Sequence, residues 1–201
     1  MDFGNITKNE VDELSVLLSK KDISLLVDNL KSKNSNLRYN SFLLLKKRSE
    51  FSEDVYPYFD IFKDMLNSKN PYHKHIALYL TAKNAKYSKK YDDNKFLYII
   101  DSYLQCCNFD NYSVARHCIQ SIPIWIKHYP ELIEKVSDYL MGLDLKGFRE
   151  SGRDLILFDI VKSLILIEKI KHLDKTADFI HSAISDKKMD GKMVRELLLF
   201  N

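Results

Sequence analysis

Apolar residues recur at three- and four-residue spacing along almost the whole chain, the period of helices that bury one stripe. Val11, Leu14, Leu17 and Leu18 make one stripe, and Ile23, Leu26, Val27 and Leu30 make the next, a first helical pair. Asp22 reads as the N-cap of the second of these helices, and Asn36 or Asn34 as the cap of the helix carrying Leu37, Ser41, Leu44 and Leu45. Further helices are predicted from about Glu53 to Asn67, Pro71 to Lys86, Asn94 to Cys107, Asn111 to His128, Pro130 to Met141, Lys146 to Ile170, Lys175 to Ser185 and Met189 to Phe200. Pro71 and Pro130 fall in first turns, where a missing N–H costs nothing. Pro57 and Pro123 fall inside their helices, so each removes a hydrogen bond and predicts a bend. The clearest loop is Tyr87 to Lys95, and no domain boundary is visible, so residues 1–201 are expected to form a single all-α domain.

A short phrase repeats on these helices: an apolar residue, a basic one, two variable positions and a small one. Its best copies lie between Leu30 and Ser41 and between Leu66 and Ala77, where Ser32, Lys33 and Asn34 return as Ser68, Lys69 and Asn70 at an offset of 36 residues. Weaker copies start at Val114, Phe148 and Val194, so the starts 37, 73, 114, 148 and 194 are separated by 36, 41, 34 and 46. Those spacings suit repeats of two helices, which bury their apolar faces only by stacking on neighbours.

Composition agrees with an ordered chain: 45% of the 201 residues are apolar, with only 5 Gly and 4 Pro. Nothing at the N-terminus reads as a signal segment, and three cysteines are an odd number for a disulfide framework, so reduced thiols and a cytoplasmic location are expected. The net charge is +3, with +4 in residues 1–100 and −1 in residues 101–201. That excess is mild beside the balance of a dedicated nucleic-acid binder.

The phrase, period and helix-pair pattern resemble HEAT or armadillo-type repeats over about residues 22 to 199. The resemblance implies a right-handed α-α superhelix, a HEAT-like solenoid of about five helix pairs with an extended concave face. In such repeats an acidic residue usually precedes the basic one and forms an ionic ladder between neighbours. Here Ser32 and Asn34 precede Arg38, and Ser68 and Asn70 precede Lys74, so a polar Asn/Ser ladder is the expected substitute. Arg38, Lys74, Arg149 and Arg195 are expected mainly to satisfy loop carbonyls. The alternative is a concave basic strip of Arg38, Lys46, Lys74, Lys83, Arg116, Lys127, Arg149 and Arg153 that presents spaced cations to phosphates.

Some HEAT-like proteins resemble DNA alkylation repair glycosylases, which cradle a damaged base between aromatic and acidic side chains. Trp125, Tyr72, Tyr79 and Tyr112 beside Asp154 and Asp159 supply those residue types without a recognisable spacing. Trp125 also continues the stripe of Val114, Cys118 and Ser121, which favours the core. His73 and His75 are two apart and point in different directions on a helix. Cys106, Cys107, His117 and Cys118 lack metal-ligand spacing and read as buried residues. No phosphate loop, nucleophile elbow or zinc-protease helix occurs.

The stretch Leu155 to Ile170 is apolar on almost every side, yet Asp159, Lys162 and Glu168 interrupt it, and it is too short to cross a membrane. It reads as a central helix packed on both flanks, the alternative being an apolar patch for a second copy of the chain. The expectation is therefore a scaffold without catalytic activity, metal or cofactor that binds a protein partner along its concave face. The alternative is a DNA-binding protein related to the alkylation repair glycosylases.

Overall fold

The computed structural model describes residues 3–185 and 189–200, and these are helical with no strand among them. No helix among the described residues is long and apolar enough to cross a membrane. The chain divides into two compact units, Met1–Ile99 and Ile100–Asn201, with the division falling inside helix α6 (Lys95–Gln105).

The first unit contains α1 (Glu10–Leu17), α2 (Lys20–Asn29), α3 (Ser35–Phe51), α4 (Phe59–Leu66) and α5 (Pro71–Tyr91). Helices α1 and α2 pack on α3, α4 packs on α5, and α3 packs on α5. The short α4 buries one face, Phe59, Phe62, Met65 and Leu66, each contributing about 2 kcal/mol by leaving water. The long α5 buries Ile76, Ala77, Leu78, Leu80, Ala82 and Ala85, spread around its circumference, and so needs neighbours on more than one side. Arg48 ties three pieces together. Its Nε and Nη2 donate to the Asp54 carboxylate, at 3.1 and 2.6 Å, and its Nη1 donates to the carbonyls of Ser15 and Val16 at the end of α1, at 3.0 and 2.8 Å.

The local chemistry corrects several expected boundaries. Ser19, rather than Asp22, caps α2; Asp22 is its partner three residues on and accepts a hydrogen bond from the Ser19 N–H, a capping box. Asn34 caps α3, accepting from the N–H groups of Asn36 and Leu37. Pro57 does not bend a helix: it sits in the 3-10 turn Tyr56–Tyr58 that leads into α4, where a missing N–H breaks no ladder. Helix α5 runs five residues beyond Lys86, and the loop shrinks to a turn in which Asp92 and Asn94 adopt left-handed backbone, φ 51° and 55°. Asp and Asn tolerate that region, and Asp93 holds the turn by accepting from Tyr56 Oη, from Ser88 Oγ at 2.7 Å and from the Lys95 N–H at 3.1 Å. Leu17 is 63% exposed because α1 ends there, so Leu18 turns inward in its place.

The second unit contains the remainder of α6, α7 (Tyr112–Ile126), α8 (Ile133–Met141), α9 (Glu150–Glu168), α10 (Asp174–Ser185) and α11 (Gly191–Phe200). Helix α9 is its centre, packed by α7, α8, α10 and α11. Its apolar residues from Ile156 to Ile167, apart from the half-buried Leu166, are buried inside the unit, as a central helix requires, which leaves little of residues 155–170 for a second copy of the chain. The expected helix start at Lys146 is replaced by a 3-10 turn, Leu145–Gly147, before α9 begins at Glu150.

Pro123 does lie inside α7. Without an N–H it leaves the carbonyl of Ile119, four residues earlier, without its helical donor, and the Ser163 hydroxyl of α9 donates to that oxygen at 3.0 Å. The pairing predicts a coupled stability effect. Ser163→Ala is expected to cost about 1–2 kcal/mol in urea unfolding, and markedly less in a Pro123→Ala background, where an N–H again reaches Ile119. Equal costs in both backgrounds would show that the hydroxyl does not serve the orphaned carbonyl.

Candidate functional site

Helices α3 and α5 meet along a regular series of rungs. The Arg38 guanidinium lies 5.1 Å from the Tyr72 ring centroid, Phe42 packs edge-on against His75 at 5.2 Å, Lys46 Nζ sits 4.6 Å from the Tyr79 centroid, and Lys83 Nζ pairs with Glu50 at 2.9 Å. Each rung joins a residue of α3 to one 33 or 34 positions later, so the helices run parallel. Between the first rungs lies a hollow of about 160 Å³ lined by Ser35, Arg38, Tyr39, Phe42, Tyr72, His75 and Ile76. Tyr72 is 65% exposed and Tyr39 48%, unusual for rings beside a well-packed core.

Basic residues outnumber acidic ones on these two helices: α5 carries Lys74, Lys83, Lys86, Lys89 and Lys90 and no carboxylate, and α3 carries Arg38, Lys46, Lys47 and Arg48 with one carboxylate, Glu50. Neighbouring segments neutralise part of this charge, since Asp12 pairs with Lys47, Asp54 with Arg48 and Glu53 with Lys90. Lys46 is half-buried, and desolvation together with the neighbouring Lys83 charge holds it below the ordinary lysine value, against the pull of Glu50. Two ammonium groups crowded beside one carboxylate leave a positive surplus that an incoming anion relieves.

The residues of the expected basic strip thus have different jobs. Arg38 donates from Nη1 to the Ser32 carbonyl at 2.7 Å, and Lys74 donates to the Leu66 carbonyl, so both satisfy the loop before their own helix as expected. Arg153 does the same in the second unit, donating from Nε to the Phe148 carbonyl at 3.0 Å and from Nη2 to the Lys146 carbonyl at 3.1 Å. Arg38, Lys74 and Arg153 each lie four residues after an N-cap: Asn34, Asn70 and Arg149. The phrase starting at Phe148 is therefore out of register by four, because Arg149 is itself the exposed cap. In the copy starting at Val194, Asp190 accepts from the Lys192 and Met193 N–H groups, which puts Val194 rather than the exposed Arg195 at the equivalent position. The Asn/Ser ladder does not join repeats either. Ser32 Oγ accepts from the Asn34 N–H at 3.2 Å and Ser68 Oγ from the Asn70 N–H at 3.1 Å, both within one loop.

In the second unit Arg116 is committed to Asp159, with Nε–Oδ2 at 2.5 Å and Nη2–Oδ1 at 3.2 Å, and Gln120 adds a third hydrogen bond at 3.0 Å. Lys127, at the end of α7, is exposed. Arg149 borders a cleft of about 860 Å³ between residues 108–113 and 147–155. Gly152 permits this approach, since a Cβ there would lie 2.6 Å from Cε2 of Tyr112. Trp125 is fully buried, edge-on to Tyr103 and Tyr129 at 5.9 and 6.5 Å, so it fills core as expected. Asp154 is exposed, and Asp159 is buried and held by Arg116 and Gln120. Sequence reasoning misses Tyr39, Phe42 and His75 as lining of this hollow; Phe42 lies four residues after Arg38 on α3 and His75 three after Tyr72 on α5, spacing that points to those two, while Tyr39, next to Arg38, carries no such signal. No protein-family model matches the chain, and no curated protein matches it in sequence.

These charges make two stability effects measurable. Arg116→Met strands the Asp159 carboxylate in the core and is expected to cost about 2–4 kcal/mol in chemical unfolding, much of it recovered by adding Asp159→Leu. His73, next to the first rung, is held below its ordinary value of 6.5 by burial and by the Lys31 and Arg38 charges. A lowered histidine favours the neutral form in the fold, so its contribution is complete above the unfolded value of 6.5 and is lost as pH falls through it. Thermal unfolding from pH 7.5 to 5 is expected to show a smaller decline in His73→Gln than in the parent chain.

Proposed function

We propose that the chain is a non-enzymatic helical-repeat binding module of the HEAT type, the class in which helix pairs stack into a right-handed superhelix, and that it takes an acidic segment of a protein partner on the α3–α5 face. The observation that carries this reading is the absence of any carboxylate on α5, alongside exposed Tyr39 and Tyr72 at an apolar hollow. A peptide supplies both halves of the complement: carboxylates for Lys46 and Lys83, which crowd beside the single Glu50 carboxylate, and one apolar side chain for the hollow. The long helices supply the rigidity, so little conformational freedom is lost by the module on binding.

The DNA-binding alternative draws on the same cations and stacking rings. Against a repair glycosylase stand the buried Trp125 and the Asp159 carboxylate already held by Arg116 and Gln120.

Fluorescence anisotropy separates the readings. A labelled Glu-rich peptide with a single leucine, a single-stranded oligonucleotide and a duplex with an abasic-site analogue are titrated at several salt concentrations. The peptide is expected to bind at micromolar concentration, more weakly as salt rises, and at least about tenfold more weakly to Tyr72→Ala or Lys46→Glu. Tyr72→Ala is expected to change stability by no more than about 0.5 kcal/mol, because the ring is largely exposed. Preference for the lesion duplex would replace this reading with the DNA one, and binding of none of the three would remove both.

A further inference from the structure

The three cysteines of the second unit have different surroundings. Cys106 and Cys107 are adjacent in the 3-10 turn Cys106–Asn108, whose tight winding turns neighbouring side chains apart. Cys106 Sγ faces the Ser102 carbonyl oxygen at 3.6 Å. Cys107 Sγ instead lies 2.7 Å from Cys118 Sγ on α7, and the Cys118 thiol donates to the Tyr103 carbonyl at 3.2 Å. Non-bonded heavy atoms prefer about 3.5–4.0 Å, and a disulfide bond is about 2.05 Å long. All three cysteines are buried thiols outside any disulfide, and Cys107 and Cys118 have no exposed surface. The chain between this pair includes Asn108 to Ser113, one wall of the 860 Å³ cleft whose other side is the start of α9.

We propose that Cys107 and Cys118 are a redox-modification site: a dithiol that a peroxide converts into an intramolecular disulfide, closing the cleft wall into a covalent ring. One sulfur, as its thiolate, attacks an oxygen of hydrogen peroxide, breaking the O–O bond to give a sulfenic acid and hydroxide, which leaves as water on protonation. The second thiol attacks the sulfenic sulfur, forming the S–S bond and releasing that oxygen as a second water. Two thiols and one hydrogen peroxide become one disulfide and two waters, with two electrons passing from sulfur to oxygen. Burial restricts the pair to small oxidants and keeps its sulfurs away from other chains. Cys106, turned toward Ser102, is the built-in control.

The test uses the whole chain, reduced, desalted and treated with hydrogen peroxide under native conditions. It is then alkylated in denaturant and digested with trypsin without reduction. Peptides 96–116 and 117–127 are expected to appear joined, about 2 Da below their summed masses for the two hydrogens lost, with one thiol alkylated. The protein is expected to stay monomeric on a non-reducing gel and to melt at higher temperature than its reduced form, because the link restricts the unfolded chain. Cys106→Ser is expected to keep the cross-link and Cys107→Ser to lose it. Three alkylated thiols in the treated parent chain, a link through Cys106, a link between two chains, or linkage only in denaturant would each overturn the assignment.

Discussion

Each unit depends on covering long helices that are apolar on more than one side. Helix α5 buries Ile76, Leu78 and Leu80 together with Ala77, Ala82 and Ala85, and α9 buries an almost unbroken run from Ile156 to Ile167. Such a helix is insoluble with only one neighbour, since each exposed Leu or Ile forfeits about 2 kcal/mol. The short, one-faced helices α4 and α8 supply part of the cover, and parallel long helices supply the rest. Polar groups sealed inside have to find partners within the same contacts. Asn84 of α5 donates to Ser49 of α3 at 3.0 Å and to the Leu80 carbonyl at 2.8 Å, and Ser163 of α9 reaches the carbonyl that Pro123 frees on α7.

The same packing assigns different chemistry to similar positions. A cation four residues after an N-cap is held by loop carbonyls, as at Arg38, Lys74 and Arg153. Cations farther along a helix depend on what the neighbouring helix presents. On α7, Arg116 meets the Asp159 carboxylate and is neutralised. Along α3 and α5, Lys46 meets an aromatic ring and another lysine, so charge is left over. The surplus proposed to make the α3–α5 face a docking surface therefore comes from the identity of the facing residues rather than from the chain's net charge of +3.

The second unit is organised around neutralised and sealed groups: the Arg116–Asp159–Gln120 cluster, the Tyr103–Trp125–Tyr129 rings and the Cys107–Cys118 contact. Gly152, on the lining of its cleft, lets α9 approach the Tyr112 ring, since a Cβ there would lie 2.6 Å from Cε2 of Tyr112. The cysteine pair anchors the other wall of that cleft.

Much of the helical content was legible from the spacing of apolar residues, because helix formation and one-sided burial leave a local period. The cap of α3 was equally local, Asn34 being one of the two asparagines expected there, since a side chain capping its own helix acts within three residues. The spacing also placed Trp125 and α9 in the core. Register in the degenerate copies was not legible: the phrase selects Arg149, and only the start of α9 shows that Arg149 is the cap and Arg153 the carbonyl clamp. Nor did spacing reveal that Lys46 would meet Tyr79, Arg116 meet Asp159, or Cys107 meet Cys118, pairs separated by 33, 43 and 11 residues. Sequence determined which segments are helical and which faces are apolar, because those depend on neighbours a turn away. Tertiary structure alone decided which cation meets a carboxylate and which meets an aromatic ring or another cation, because that depends on which residue the partner helix brings opposite.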